Sequence, residues 1–563
     1  MLRRMPKKGI RRGGKNQSIA VLDFETDPFE HGRIPKPFAA GVMLSGPNHP
    51  LPEYRVFWGA DCVDICLDWI ASIKTPLVIY AHNGGKFDFH FLLSRLDLGS
   101  ILCIKGRIVK ANYGIHEFRD SWPIIPMPLA SANSKLKIDY NKFEEENREE
   151  HKAEILTYLQ EDCRSLHEIV TAFIDRFGLK LTAPSAAMTA LKKLHPQPPG
   201  NLATDKLLRP FYFGGRVQCF ETGVIDRPLK VYDVNSMYPH VMKNFQHPKG
   251  HGYVTVKNVT LDSDGWIKGF HGYFYFAEVE GINRGAIPLR GVRQIDPLDF
   301  DTQSARFLTN SHELRAAKKL GLFTVRTIHT AHIARETQNF AEFVDTYAAE
   351  KVTAKKEKNK TAEVFAKLML NSAYGRFGIN PYGFREYLLQ DYGTPCEEPG
   401  YMLDTSIGMI AIWSRPKFKA GDPDTEPPFR SFENVAIAAS VTAAARSVLM
   451  RALHASHGVV YCDTDSIICE EIGDVPRHDY ELGAWKLDAE GDRIAIAGKK
   501  LYTLLKDGEE VKSASKGVRL TAEQIEDVSR GTMVTWRSEA PSFSISGPTR
   551  FTTRRVQLTS RKR

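Results

Sequence analysis

The chain has 563 residues, too many for one compact core, and its 42% hydrophobic and 25% charged content is that of an ordinary globular protein. Lys and Arg number 76 against 67 Asp and Glu, a net charge of +9 that suits a nucleic-acid partner without requiring one. No apolar run approaches the roughly 20 residues of a bilayer span, the N-terminus lacks the apolar stretch of a secretory signal, and the eight scattered cysteines, of which Cys62 and Cys66 lie four apart without a second pair at zinc spacing, read as reduced thiols of a cytosol-like compartment.

In chain order, residues 1–17 form a basic arm holding Arg3, Arg4, Lys7, Lys8, Arg11, Arg12 and Lys15. It is either a solvated end or an arm for phosphates or a partner protein. Residues 19–22 read as a strand that delivers the acids of VLDFETD, and residues 77–80 repeat the pattern ahead of NGGKFDF. Residues 142–176 read as helical, charged first and then apolar-periodic, and carry YLQED. Pro196, Pro198, Pro199 and Gly200 mark a boundary near residues 178–205. A strand over 229–232 then leads into VYDVNSMYP, a mixed region spans 245–350, and a lysine-rich stretch over 351–367 enters AKLMLNSAYGRFG. Residues 379–432, rich in Gly, Pro and polar residues, read as an inserted loop or hairpin, and 435–456 as an alanine-rich helix. Residues 459–470 form a tight hairpin with the acids of YCDTDSI at its tip, and residues 514–563 a small tail domain ending in Arg554, Arg555, Arg561, Lys562 and Arg563.

Two sets of carboxylates carry chemistry. Asp23 and Glu25 lie at i and i+2 on a strand end and so face one side. Tyr158 and Asp162, at i and i+4, share a helix face. With Asp88 they make a four-acid site that would repel itself unless cations neutralised it. Two Mg²⁺ ions about 4 Å apart would do so and would stabilise the attacking and leaving oxygens of a phosphodiester, with Tyr158 orienting water. In the second set Asp233 follows an apolar strand, and Asp463 and Asp465 sit at a hairpin tip. Paired by the fold, Asp233 and Asp465 would hold the two metals of nucleotidyl transfer, with Asp463 tuning them. Lys367, Asn371 and Tyr374 fall at i, i+4 and i+7, one helical face suited to a triphosphate, base and sugar.

These segments resemble family B DNA polymerases from Asp23 to about residue 517, with exonuclease motifs I, II and III, the linker, motifs A, B and C and Lys-x-Tyr all in order. The resemblance implies an α/β and α+β multidomain fold: an RNase H-like 3′→5′ exonuclease domain (18–180), a linker (181–216), and a right-hand polymerase domain. Palm and fingers would occupy 217–513, interrupted by insertions at about 245–350 and 379–432, and the thumb 514–563. It implies that Asn83 and Phe87 hold a single-stranded 3′ end, with Ser121 and Lys135 in supporting positions and Trp122 where a leucine is usual. Tyr238 would discriminate the sugar, and Lys500 and Tyr502 of KKLY would hold the primer terminus. Thr442 and Arg446 would contact template or primer, and Tyr212, Gly214 and Gly215 would form the DNA-binding linker motif. The implied cofactors are two divalent ions per site, Mg²⁺ or Mn²⁺. The implied partners are DNA template-primer and dNTPs, met by a monomer in the cytoplasm of a host cell.

The early position of Asp23, the short chain and the two insertions resemble the protein-primed branch of phages, adenoviruses and linear plasmids, which implies a terminal protein as primer. One departure is Glu363, four residues before Lys367, where some members carry a base; Lys355, Lys356, Lys358 and Lys360 stand near it. Two other readings are a family B polymerase that uses an ordinary primer or none, and a non-enzymatic DNA-binding relative, which would be expected to have lost these acids.

Overall fold

The computed structural model describes residues 18–30, 32–47, 49–129, 137–291, 297–391, 400–405, 408–418, 433–545 and 549–558. Lys135, the whole basic N-terminal arm and the last five residues lie outside them.

The N-terminal unit is a seven-stranded mixed sheet: β1 (Ser18–Thr26), β2 (Pro37–Gly46), β3 (His49–Trp58), β4 (Leu77–Ala81), β5 (Asp97–Ile104), β6 (Arg107–Tyr113) and β7 (His116–Asp120), ordered β3-β2-β1-β4-β7-β6-β5. β1, β4 and β7 run parallel in the centre; β1 up to Leu22 and β4 are mostly apolar, whereas β7 buries His116, Glu117 and Asp120 around Phe118. The period of two divides β1 between two cores. Ala20 and Leu22 face α1 (Cys62–Ser72), which presents Cys62, Cys66, Leu67 and Ile70. Ile19 and Val21 face α2 (Lys152–Phe177), which presents Ile155, Leu159, Cys163 and Leu166. The helix expected from residue 142 begins only at Lys152; Tyr140–Phe143 is a single 3₁₀ turn. The intervening EEENREEH has no apolar face to bury and crowds like charges.

The C-terminal unit is built on a second seven-stranded sheet, all antiparallel: β8 (Val217–Cys219), β9 (Gly223–Val234), β10 (Tyr461–Asp463), β11 (Ser466–Cys469), β12 (Trp485–Gly498), β13 (Leu501–Lys506) and β14 (Glu509–Ser515), ordered β14-β13-β12-β9-β11-β10-β8. Residues 245–350 hold a four-stranded antiparallel sheet of Tyr253–Val259, Tyr275–Asn283, Ser304–Asn310 and Phe323–Ala334, with the helix Ser311–Lys319 beside it. The lysine-rich stretch is two packed helices, Ala341–Lys356 and α3 (Lys360–Ser372), with Lys358 at φ +57 in the turn between them. α3 reaches back to the first unit: Phe365 meets Phe173 and Phe177 of α2 edge-on at 5.7 and 5.8 Å.

The inserted region departs from expectation, while the alanine-rich helix forms where expected and the tail is a small folded piece. The inserted loop or hairpin is a three-stranded sheet of Arg385–Asp391, Gly400–Thr405 and Gly408–Pro416, and its Leu389 and Ile412 are buried in the α1-side core of the first unit. The apolar helix α4 (Val435–Ala455) is long and apolar enough to cross a membrane by length and composition, yet 89% of its most apolar window is buried inside the fold. The tail folds as α5 (Ala522–Ser529) and a ribbon of Val534–Arg537 with Thr553–Val556. Its intervening segment returns to the first unit, where Ile545 joins the core and donates its N–H to the Gly106 carbonyl at 3.0 Å.

Seven cysteines among the described residues are free, as expected of reduced thiols. Buried histidines set the acid stability. His247 is fully buried, with Nε2 donating to the Val241 carbonyl (3.0 Å) and Nδ1 accepting from the Ser440 hydroxyl (2.8 Å). Burial pushes its pKa from the usual 6.5 to about 4, and that of His312 to about 3. Below pH about 6.5 the unfolded chain binds protons that these folded histidines refuse, so their contribution to stability is lost as pH drops from about 6.5 toward about 4. The melting temperatures of the wild type and of His247→Gln should draw together between pH 7 and pH 4.5, and a gap that stays constant would overturn the assignment.

Candidate active sites

The first site follows from the parity of β1. Asp23 and Glu25 continue the Ile19–Val21 face, so both point toward α2, which carries Tyr158 and Asp162 one turn apart. Asp23 lies opposite Gly41 of β2, and a Cβ at Gly41 would stand 2.9 Å from both Cys163 Sγ and Leu159 Cγ. The bare glycine lets α2 settle against the sheet at the residues that flank Asp162. Asp88 enters from the turn after β4, where Asn83 adopts a left-handed φ of 60° and Gly85 lies so close to the Ile108 carbonyl that no side chain fits.

The acids meet electrostatically. Burial, then Glu25, Asp88 and Asp162, hold the Asp23 carboxyl well above the usual carboxylate range. Burial, then Asp162 and Asp88, push Glu25 up to about 8. Burial pushes Asp88 up to about 7, opposed by backbone N–H groups and reinforced by Asp120. Tyr158 is raised by burial and by Asp162, and shares a hydrogen bond with Tyr140. Among the described residues no three acidic, His or Cys side chains converge on one ligating point as they stand. The donor set nonetheless fits hard cations: it is all oxygen, and Glu25 Oε1 and Asp88 Oδ1 are buried without a hydrogen-bond partner.

Around this site the sequence-based roles divide. Asn83 and Phe87 stay partly accessible beside Asp88. Ser121 is fully buried, and its hydroxyl bonds His82 Nδ1 at 2.9 Å. It therefore orients the residue before Asn83 and faces no strand itself. Trp122 lies under the Arg107 guanidinium, 5.7 Å from its ring centre, and Arg107 pairs with buried Asp120. Asp120, Tyr140 and Phe543 were missed. Phe543, from the C-terminal tail, sits edge-on to Phe87 at 5.4 Å and to Phe91 at 5.8 Å. Nothing local in the sequence marks it.

The second site lies where β9, β10 and β11 meet. Asp233 sits between Ser466 of β11 and Lys486 of β12 in the ladder. The hairpin tip turns on Thr464 at φ +59, and the Val234 N–H donates to the Asp465 carbonyl at 2.8 Å. Asp465, in the turn before β11, is thus brought to the end of β9 beside Asp233, 232 residues earlier in the chain. Burial, then Asp233 and Asp463, push Asp465 up to about 6, and Asp233 is raised by burial against the pull of Lys486 and Lys512. Asp463 is engaged by the Lys500 ammonium and by the Tyr461 hydroxyl at 3.3 Å. Lys486, Asp488 and Lys512 surround Asp233, and no motif announced them.

Lys367 and Asn371 lie exposed on α3, while Tyr374 falls in the 3₁₀ turn after the helix ends. That turn swings its ring onto Tyr238, centroids 4.0 Å apart and 20° from parallel. Tyr212 packs against Gly378, where a Cβ would stand 2.7 Å from its ring. Gly214 is exposed with open space beside it, whereas a Cβ on Gly215 would stand 2.6 Å from Thr464 Oγ1. Tyr502 is 7% exposed, its ring 5.2 Å from Tyr461. Thr442 and Arg446, expected at template or primer, are 2% and 3% exposed. Thr442 bonds the Ala438 carbonyl of its own helix, and Arg446 is held by protein groups on every described side, so burial and not a strand satisfies both.

Residues 100–398 match the family described as DNA polymerase type B, organellar and viral. Over 99% of its length the chain is 41% identical to the whole of the DNA-directed DNA polymerase of Enterobacteria phage PRD1. The chain belongs to the type B DNA polymerases. A more distant relative, the DNA polymerase of Bacillus phage Nf, is 25% identical over 86% of this chain and 87% of that one. In three dimensions this type B polymerase superposes on phi29 DNA polymerase complexed with primer-template DNA with a TM-score of 0.71, at 18% identity, over 96% of this chain and all of that one. The fold is therefore that of an exonuclease unit with palm, fingers and thumb.

Gly41→Ala tests the exonuclease packing. The added methyl should push α2, with Tyr158 and Asp162, off the sheet and lower hydrolysis of single-stranded DNA by about tenfold or more, with primer extension kept. Equal loss of both activities would mean general misfolding.

Proposed function

We propose that the chain is a DNA-dependent DNA polymerase with a 3′→5′ proofreading exonuclease, which starts a linear genome from the hydroxyl of a terminal protein. The observation that supports the synthetic half is the approach of Asp465, in the turn before β11, to Asp233 on β9, whose charge raises its pKa. These two acids would hold cations at the synthetic site, and Asp23, Glu25, Asp88 and Asp162 at the hydrolytic one. Divalent ions, Mg²⁺ or Mn²⁺, supply activation of the attacking oxygen and neutralisation of phosphate charge when bound.

The remaining work belongs to the chain. Lys367 and Asn371 on the open face of α3 receive the triphosphate and base. The Tyr238–Tyr374 stack floors the sugar and leaves no room for a 2′-hydroxyl. Lys500, beside Asp463, steadies the primer end. Exposed Gly214 offers backbone to a strand. On the hydrolytic side Asn83 and Phe87 hold the frayed 3′ end, and Tyr158 orients water. The enzyme acts as a monomer in the cytoplasm of a host cell, on primed template and dNTPs.

Protein priming rests on the two insertions and on near full-length likeness to a phage polymerase. Incubation with labelled dNTP, template, Mg²⁺ or Mn²⁺ and extract from the source should yield nucleotide covalently attached to a protein. Efficient extension of free oligonucleotides with no labelled protein would replace this reading with ordinary priming.

A further inference from the structure

Arg446, near the polymerase site, is engaged by protein groups. Its Nε and Nη2 donate to Glu313 Oε1 and Oε2 at 2.6 and 2.8 Å. Its Nη1 donates to the Phe213 and Gly214 carbonyls at 2.8 and 2.6 Å. Four of the roughly five N–H donors of a guanidinium are thus used inside the protein. The side chains of Arg446 and Glu313 are 2% and 1% exposed, so a DNA phosphate would have to displace Glu313 to reach this arginine.

The bonds lead to the catalytic hairpin. Glu313 lies on the helix Ser311–Lys319 of the first insertion, Arg446 on α4, and the two carbonyls in the linker. The insertion grips the linker twice more: Arg290 donates to the Tyr212 carbonyl, and Arg216 donates to the Gly285 carbonyl at 2.8 Å. One residue beyond the carbonyls that Arg446 holds, Gly215 abuts Thr464. The Thr464 N–H then donates to the Arg216 carbonyl at 2.7 Å, and its hydroxyl donates to Asp463 Oδ1 at 3.1 Å. Thr464 stands between Asp463 and Asp465, so the linker backbone is the rear wall of the hairpin tip.

We propose that Glu313 and Arg446 are positioning residues for synthesis: a buried bidentate latch between the first insertion and α4 that fixes the linker carbonyls, and through them the Asp463–Asp465 tip, without touching DNA. A pair of this kind contributes little net stability over an apolar pair of the same shape, but it admits only one geometry. The inference rests on the polymerase assignment, which dNTP incorporation by the wild type tests separately.

The full-length Glu313→Gln and Arg446→Lys variants decide it, through steady-state primer extension, primed-template affinity across a salt series, and hydrolysis of single-stranded DNA. Lysine keeps the charge that a phosphate contact needs but cannot bridge both Glu313 oxygens and two carbonyls. Both variants should lose about tenfold or more in kcat. KM for dNTP, template affinity, its salt slope and the hydrolysis rate should stay within twofold. Wild-type kcat in Arg446→Lys, or a loss of template affinity that accounts for the loss of synthesis, would overturn the latch in favour of a DNA contact. If Glu313→Gln lost hydrolysis as well, Arg446→Lys would decide alone, and loss of both activities there would reduce the pair to general stability.

Discussion

Asp465→Ala should stop dNTP incorporation by roughly 10³-fold or more while hydrolysis of single-stranded DNA proceeds at the wild-type rate. The size follows from charge. Asp233 on β9 and Asp465 in the adjoining turn would hold the cations that neutralise a phosphate in transit, and losing one forfeits several kcal/mol of transition-state stabilisation. The selectivity follows from how the tip is held. The backbone carbonyl of Asp465 accepts from Val234, and its own N–H bonds the Asp463 carbonyl at 2.6 Å, so the turn survives loss of the side chain. Removing a carboxyl held near pH 6 by burial and like charge also relieves repulsion, so the variant should melt no lower than wild type. Primer extension, nuclease assay and thermal denaturation on one preparation suffice. Retention of more than about one per cent of synthesis, or joint loss of both activities in a folded protein, would refute the two-site arrangement.

Asp23→Ala with Asp88→Ala should give the mirror image: hydrolysis lost by roughly 10³-fold or more, synthesis kept. It carries a second signature. Glu25 and Asp88 titrate near 8 and 7 in the chelated protein against 4.5 and 3.8 ordinarily. Folded acids with raised pKa values retain protons that the unfolded chain has released, so the contribution of these two acids to wild-type stability in EDTA falls as pH rises from about 4 to about 8, against the opposite contribution of the buried histidines. The double variant lacks Asp88 and relieves Glu25, so its stability should fall less over that window, and added Mg²⁺ should raise the wild-type melting temperature more than the variant's. An equal pH slope in the two proteins would mean that the four acids do not share one site.

Both acid clusters were legible because strand and helix periods place them: Asp23 and Glu25 share the parity of Ile19 and Val21, and Tyr158 and Asp162 lie one helical turn apart. The order of motifs supplied the rest of the catalytic frame. What stayed hidden depends on partners far away in the chain. Arg446 reads as a DNA contact until Glu313, 133 residues earlier, is brought beside it. Ser121 reads as a support for the single-stranded 3′ end until His82 takes its hydroxyl. Residues 379–432 read as a loop because Gly and Pro break the pattern, while the Leu389 and Ile412 that anchor the sheet find their core in another unit. Polar residues give no local sign of whether water or protein will satisfy them.

The return of the tail to the exonuclease unit has a consequence in time. Ser544 bonds a carbonyl 438 residues earlier, and Phe543 completes the aromatic wall beside Phe87. At about 5–20 residues per second, the ribosome delivers that wall roughly 20–90 s after the exonuclease sheet has emerged. The unit that removes nucleotides is therefore first to be translated and last to be finished. A chain cut short before residue 543 would carry every acid of both sites with one side of its proofreading pocket left open.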